Sequence, residues 1–228
     1  MAQYFTVHPV DPQPRLIRQA AAILRQGGVI AYPTDSSYAL GCQLGDAAAA
    51  RRLREIRGVD ERHHFTLVCR DLAEIGRYAR IDTWQFRILK HATPGSYTFI
   101  LPATREVPRR LQHPKRSTVG VRVPDHPVVR ELLAELGEPI LSSTLILPGD
   151  PAGATARSRG DAGFDDNEPL NDAREIRERL EHALDLIIDA GPCSLEPTTV
   201  VDLAQDPPLI TRLGRGDPAK LGLEAGVK

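Results

Sequence analysis

The sequence predicts one α/β domain whose twisted mixed sheet is flanked by helices. Three observations predict it. Candidate strands and helices interleave from the first turn to the end of the chain. The last three apolar runs, LDLIIDA, TTVVDL and PLITRL, lie too close together for helical crossovers, so the sheet cannot be purely parallel. No internal repeat or Pro/Ser linker splits the 228 residues, which places the domain at 1–216 and leaves 217–228 as a frayed tail.

Taken in order, the first helix follows Pro14, with Leu16, Ile17, Ala20, Ile23 and Leu24 at helical spacing and Gly27-Gly28 as its stop. VIAYP (29–33) reads as a buried strand running into the polar turn Thr34-Asp35-Ser36-Ser37, and YALGCQL as the next strand. Asp46 is a suitable N-cap for an Ala-rich helix ending near Gly58. FTLVC (65–69) is a strand, followed by helices near 71–78 and 82–92. YTFIL (97–101), STVGVRV (117–123) and PILSS (139–143) are strands, with a helix at 126–136 before the last. Residues 149–171, rich in Gly, Asp, Ala and Arg without periodicity, predict a mobile loop, and 172–184 a helix.

Composition narrows the function classes. With 29 basic and 30 acidic residues the net charge is −1, so no global field demands a nucleic acid or a membrane. The charge is uneven, however: 105–122 holds six basic residues and one acidic, whereas 150–192 holds eleven acidic and five basic. The three cysteines, Cys42, Cys69 and Cys193, form no CxxC pair, which argues against a zinc ribbon or a thioredoxin-type site, and Cys42 and Cys69 sit in apolar, strand-like runs that predict reduced, buried thiols. No segment approaches a membrane span and the N-terminus has no apolar signal region, so the expected location is cytoplasmic.

No P-loop, nucleophile elbow or Gly-x-Gly-x-x-Gly occurs. His63-His64 is the only histidine pair, and neighbours on an extended chain point opposite ways, so joint metal ligation is not expected. PTDSSYAL places small polar groups at the end of a buried strand, a frequent ligand position in open sheets, although an ordinary polar turn reads the same. Thr98 is a hydroxyl inside an apolar strand. Arg122, in VGVRVP, must find an anion or a carboxylate.

In this order the segments resemble the YrdC-like threonylcarbamoyl-adenylate synthase family, and more narrowly its YciO branch. GGVIAYPTDSSYAL stands for the family's Gly-Gly, strand and PTDTVYGL. The resemblance continues through Pro94-Gly95 and Thr98, Arg122 and Pro124, TTVVD (198–202), and Arg212 with Gly214, covering about 8–216. It implies a YrdC-like fold and an enzyme that joins L-threonine, bicarbonate and ATP into threonylcarbamoyl-AMP and pyrophosphate, for threonylcarbamoyl modification of tRNA. Magnesium is implied only as ATP's companion. Threonine would be held by Thr34, Asp35, Ser36 and Tyr38. Nucleotide and phosphate would be held by Arg57, Thr98, Arg122, Ser143, Thr144, Thr199 and Arg212. No general base and no metal ligand is assigned. Some members bind double-stranded RNA, for which the basic residues Arg109, Arg110, Lys115 and Arg116 are the candidates.

The chain departs from the family in its phosphate motifs. Arg57-Gly58-Val59 stands where KxR is usual, Ser143-Thr144-Leu145-Ile146 where TSAN is usual, and Ala39 replaces a glycine. Two lost polar contacts cost roughly 3–6 kcal/mol if nothing compensates, or about two to four decades in rate or affinity. Synthesis is therefore expected to be weak. The alternatives are a non-catalytic nucleotide- or RNA-binding protein of the same fold, and another acyl-adenylating or nucleotide-hydrolysing activity.

Overall fold

The structure, a computed structural model, describes residues 1–61, 63–147 and 169–222. Its elements in chain order are β1 (Gln3–Thr6), α1 (Pro14–Arg25), β2 (Ile30–Tyr32), β3 (Ala39–Gln43), α2 (Ala47–Arg57), β4 (Thr66–Val68), α3 (Leu72–Tyr78), α4 (Thr83–Ala92) and β5 (Tyr97–Pro102). A 3-10 turn at Arg109–Leu111 leads to β6 (Thr118–Arg122), α5 (Pro127–Leu136), β7 (Ile140–Thr144), α6 (Ala173–Leu180), β8 (Leu186–Asp189), β9 (Thr199–Asp202), β10 (Leu209–Arg212) and a last 3-10 turn at Pro218–Leu221. Local chemistry sets the helix ends. The Asp46 carboxylate accepts the amides of Ala48 and Ala49 at the start of α2. Gly58, at φ +63°, ends it in a conformation that a β-carbon would strain.

Among the described residues, ten strands form one mixed sheet in the order β1-β8-β2-β3-β7-β4-β6-β5-β9-β10. β1 and β2 both run parallel to β8, β4 to β6, and β5 to β9; the other neighbours are antiparallel. Successive side chains alternate between the two faces. Leu40, Leu67, Phe99, Val119, Val121, Leu141 and Val201 point into one core, which also takes in residues of α2, α3, α4 and α6. Ile30, Tyr32, Ala39, Val68, Ile140, Leu186 and Ile188 point into the other, where residues of α1 and α5 pack.

That second face is covered only in part. In the strands from β7 to β9, the residues alternating with the first core are Thr66, Thr98, Ile100, Thr118, Gly120, Arg122, Ser142, Thr144 and Val200. They form the floor of a cavity of about 630 Å³ instead of a helix contact. The fold thus leaves one half of one sheet face open and lines it with hydroxyls.

The structure differs from these expectations at four points. β1 was not foreseen: it is a half-exposed four-residue edge strand, and its pairing to β8 is what orders it. The tail does not fray from 216, because Asp217 caps the last 3-10 turn, Leu221 is buried, and the Tyr97 hydroxyl donates to the Asp217 carbonyl at 2.9 Å. Of the predicted mobile loop at 149–171, residues 149–168 lie outside the described residues. Leu170 is buried, and its amide donates to the Leu145 carbonyl at 2.9 Å. The helix expected at 172–184 ends earlier, at Leu180.

Both cysteine-bearing strands are buried, with Cys42 and Cys69 fully shielded. Burial pushes the Cys42 thiol up to about 12 and the Cys69 thiol well above its ordinary value. Neither thiolate is available at neutral pH. Both cysteines are therefore expected to react with a thiol reagent only after unfolding, and rapid labelling of either in native buffer would remove them from the core.

Candidate functional site

The open half-sheet is bordered by the turn after β2, the C-terminal end of α2 and the final strands. In the turn, the Thr34 hydroxyl donates to the Ser37 carbonyl at 2.7 Å and accepts the Ser36 amide at 3.1 Å. The Ser36 hydroxyl lies 3.0 Å from it. These two residues hold the turn's shape. Ser37, part of the predicted polar turn but not among the residues expected to hold threonine, is the turn residue that lines the cavity.

Asp35 is the chemically charged member of the turn. Its carboxylate pairs with the Arg122 guanidinium and accepts the Ser96 hydroxyl at 2.8 Å. Both partners of the ion pair are nearly buried, with side chains 9% (Arg122) and 11% (Asp35) exposed. Arg122 Nε is buried with no hydrogen-bond partner. A buried guanidinium N–H left over in a cavity wall is a donor still seeking an acceptor.

Arg212, on β10, donates through Nε to the Thr198 carbonyl and through Nη2 to the Thr198 hydroxyl, each at 3.0 Å. The Thr198 hydroxyl is 2.9 Å from that of Thr98. Among the described residues no carboxylate pairs with Arg212. Burial, and after it the like charge of Arg122, hold its pKa below the ordinary guanidinium value. Two cations that repel across a cavity form a site that an anion would relieve.

Arg57 closes the other side. It is buried at the end of α2, donates from Nε to the Ser143 hydroxyl at 3.1 Å, and donates from Nη1 to the Ile146 carbonyl. Ser143 and Thr144 both line the cavity, as does Ile146, where the family has asparagine. Val59 is absent from the lining and is half-buried; its amide donates to the Arg54 carbonyl at 3.1 Å. The position of the lost KxR arginine therefore lies off this cavity, and that of the lost asparagine lies on it.

Several expected residues sit elsewhere. Tyr38 lies in the first core, and its hydroxyl donates to the Gly191 carbonyl at 2.9 Å, with burial raising its pKa. Thr199 is fully buried facing away from the cavity; its hydroxyl accepts the Gly214 amide at 3.0 Å and donates to the Gly216 carbonyl, clasping the final loop. Its neighbour Thr198 is the one on the cavity wall. Arg116 is not a free surface cation: its guanidinium reaches into the wall and pairs at 2.6 Å with Asp202, which is 1% exposed. Arg109, Arg110 and Lys115 remain exposed, with Arg110 bonded to the Gly45 carbonyl.

Residues that the sequence reading missed complete the wall. Thr66, Thr118 and Ser142 join Thr98 on the floor, and Gly120 between them leaves room, since a β-carbon there would meet the Thr66 hydroxyl at 3.2 Å. The His64 and His113 rings face each other at 4.8 Å on one side. Burial, then the neighbouring His113, lowers the His64 pKa, so His64 is neutral at pH 7. Among the described residues no three His, Cys, Asp or Glu side chains gather into a metal site, and no helix is long and apolar enough to cross a membrane.

With this geometry in hand, the relatives are informative. YciO of Escherichia coli strain K12 is 49% identical over 217 residues, covering 95% of this chain and 98% of its own. The crystal structure of E. coli YciO superposes with a TM-score of 0.86 at 48% identity, covering 97% of this chain and 100% of that one. A threonylcarbamoyl-AMP synthase of Halorhodospira halophila is 31% identical over 196 residues, 85% of this chain and 93% of that one. P. abyssi Sua5, crystallised in complex with L-threonine, gives a TM-score of 0.79 at 25% identity, covering 92% of this chain and 57% of that one. The Sua5/YciO/YrdC sequence family, described as Telomere recombination, matches residues 22–161 and 161–214. With the match spanning most of the chain and the fold shared from end to end, this protein belongs to the Sua5/YciO/YrdC family.

Proposed function

We propose that the open half-sheet holds L-threonine beside ATP and that the chain makes threonylcarbamoyl-AMP slowly. The observation that carries this is the pairing of a zwitterion-like site, Asp35 with Arg122, with a second guanidinium, Arg212, set on a hydroxyl floor and, among the described residues, without a carboxylate of its own. An amino acid presents an ammonium to Asp35 and a carboxylate to the unpartnered Nε of Arg122. Arg122, first expected to hold nucleotide, thus fits the amino acid better. Arg212, Thr198, Thr98, Thr144 and the Arg57–Ser143 pair fit a polyphosphate. The similarity to a named synthase and to a protein that binds L-threonine supports this assignment.

In this reading the threonine amine attacks the bicarbonate carbon and water leaves. A carbamate oxygen then attacks the α-phosphorus, and the bond to pyrophosphate breaks. Magnesium would arrive with ATP as part of the substrate. The protein's part is to place the reactants and neutralise the departing pyrophosphate, with neutral His64 available in the same cavity to accept the ammonium proton. Arg57 is the weak point: its guanidinium is held by the Ile146 carbonyl and Ser143, so less of its donor capacity faces a phosphate. The product would feed threonylcarbamoyl modification of tRNA.

The test is pyrophosphate release from ATP, measured with threonine and bicarbonate present and with each omitted in turn. Release that needs both is expected, and Arg57→Lys with Ile146→Asn should raise it. ATP binding that tightens with threonine but gives no pyrophosphate would make the chain a binding protein. Release that ignores threonine would point to nucleotide hydrolysis.

A further inference from the structure

A second cleft, of about 870 Å³, opens beside the first and, among the described residues, shares with it the wall residue His113 alone. Its charge is one-sided. Arg80, Arg105 and Arg109 line it, and among the described residues no carboxylate does. Among the described residues none of these three guanidiniums takes part in an ion pair, although all three side chains are exposed. Three like charges facing one concavity repel each other, and low-dielectric walls concentrate their field within it.

The positions of the three are well held. The Arg80 amide donates to the Pro102 carbonyl at 2.8 Å, and the Thr104 amide and hydroxyl bond the carbonyls of Tyr78 and Arg77. The Gln112 side chain donates to the Val107 carbonyl at 2.8 Å, tying back the segment that carries Arg105 and Arg109. His113 Nδ1 accepts the amides of Lys115 and Arg116 at 3.2 and 3.1 Å, so in the neutral ring the proton is on Nε2, a further donor. Ser117, also in the lining, is held at φ +49°, which a non-glycine residue adopts at a cost.

We propose that this cleft is a separate binding site for a compact oligophosphate, a ligand with two or more linked phosphates. The forked guanidiniums match phosphate oxygens two at a time. A nucleic acid fits less well. Among the described residues the lining contains no Phe, Tyr or Trp on which a base would stack. The linear basic run is also broken: Arg116 is drawn into the other cavity by Asp202, and Arg110 is bonded to Gly45. What remains is a local cluster, not a track along a backbone. The site does not depend on synthesis in the first cavity, and its ligand could be released pyrophosphate or the phosphate tail of a nucleotide.

Calorimetric titration of the full chain with inorganic pyrophosphate tests this, with ATP, AMP and a short duplex RNA in parallel. In the Arg212→Met background, which weakens the first cavity, one pyrophosphate site is expected to remain. Arg105→Gln with Arg109→Gln should weaken that site at least tenfold and leave threonine binding unchanged. Pyrophosphate binding with ATP weak names the free anion; comparable binding of ATP but not AMP names the nucleotide's tail. The proposal is overturned if the double variant binds pyrophosphate like the parent, if Arg212→Met alone removes all binding, or if only the RNA binds. Unchanged melting temperatures guard against misfolding, and exposed arginines make it improbable.

Discussion

Asp35→Ala is expected to lower folding stability by about 3–5 kcal/mol, the range seen when one partner of a buried ion pair is removed. The cause is the cation left behind. Arg122 lies in the sheet with 7% of its surface exposed, its Nε is already unpartnered, and among the described residues its one ion pair is with Asp35. Asp35→Leu combined with Arg122→Met should recover most of the loss, because an apolar pair has no charge to desolvate. Urea unfolding of the parent, both single variants and the double variant measures the coupling. A single-variant loss below about 1 kcal/mol, typical of exposed pairs, would show that Arg122 reaches another acceptor or water. Threonine binding should disappear in the single and the double variant alike, which separates the site from the stability effect.

Arg212→Met is expected to do the reverse, leaving stability nearly intact while removing function. Among the described residues Arg212 has no carboxylate partner, and both burial and Arg122 already disfavour its charge, so losing it costs the fold little. If it stabilises the departing pyrophosphate, its loss should cut kcat/KM for threonine-dependent pyrophosphate release by about 100- to 1000-fold. Arg212→Lys should rescue poorly, because a compact ammonium lacks the planar fork whose separate nitrogens reach the Thr198 carbonyl and hydroxyl. A variant that retains parental kcat/KM would move the phosphates elsewhere and with them the proposed reaction.

Much of the architecture was legible because it rests on short-range signals. Pro14, Asp46 and Gly58 mark helix ends through local geometry, and the apolar runs mark strands through their period. The site was legible only in part. The choice between Thr198 and Thr199 turns on which face of a strand is open, and adjacent residues give opposite answers. One signal was present and unused: Thr66 and Thr98 each sit between apolar neighbours, while Thr118, Gly120 and Arg122, and likewise Ser142 and Thr144, recur at every second position of their strands. That pattern describes a polar sheet face, and the shared phase would have located the floor. The Arg116–Asp202 pair carried no such signal, since its partners are 86 positions apart and meet only through the sheet order.

The order of the strands also sets a timetable for the newborn chain. β8 lies between β1 and β2, so two of the earliest segments to leave the ribosome are both waiting for one of the last. Gln3 pairs with Leu186, so roughly 180 residues must be added before that edge closes. At a synthesis rate of about 5–20 residues per second this is a delay of roughly 10–35 seconds. During that interval Ile30 and Tyr32, later fully buried, have only β3 beside them, and the residues of α1 that will pack there must wait for α5. A chain built in this order exposes an apolar hairpin for most of its synthesis, and a holding chaperone that recognises extended apolar segments would find it there.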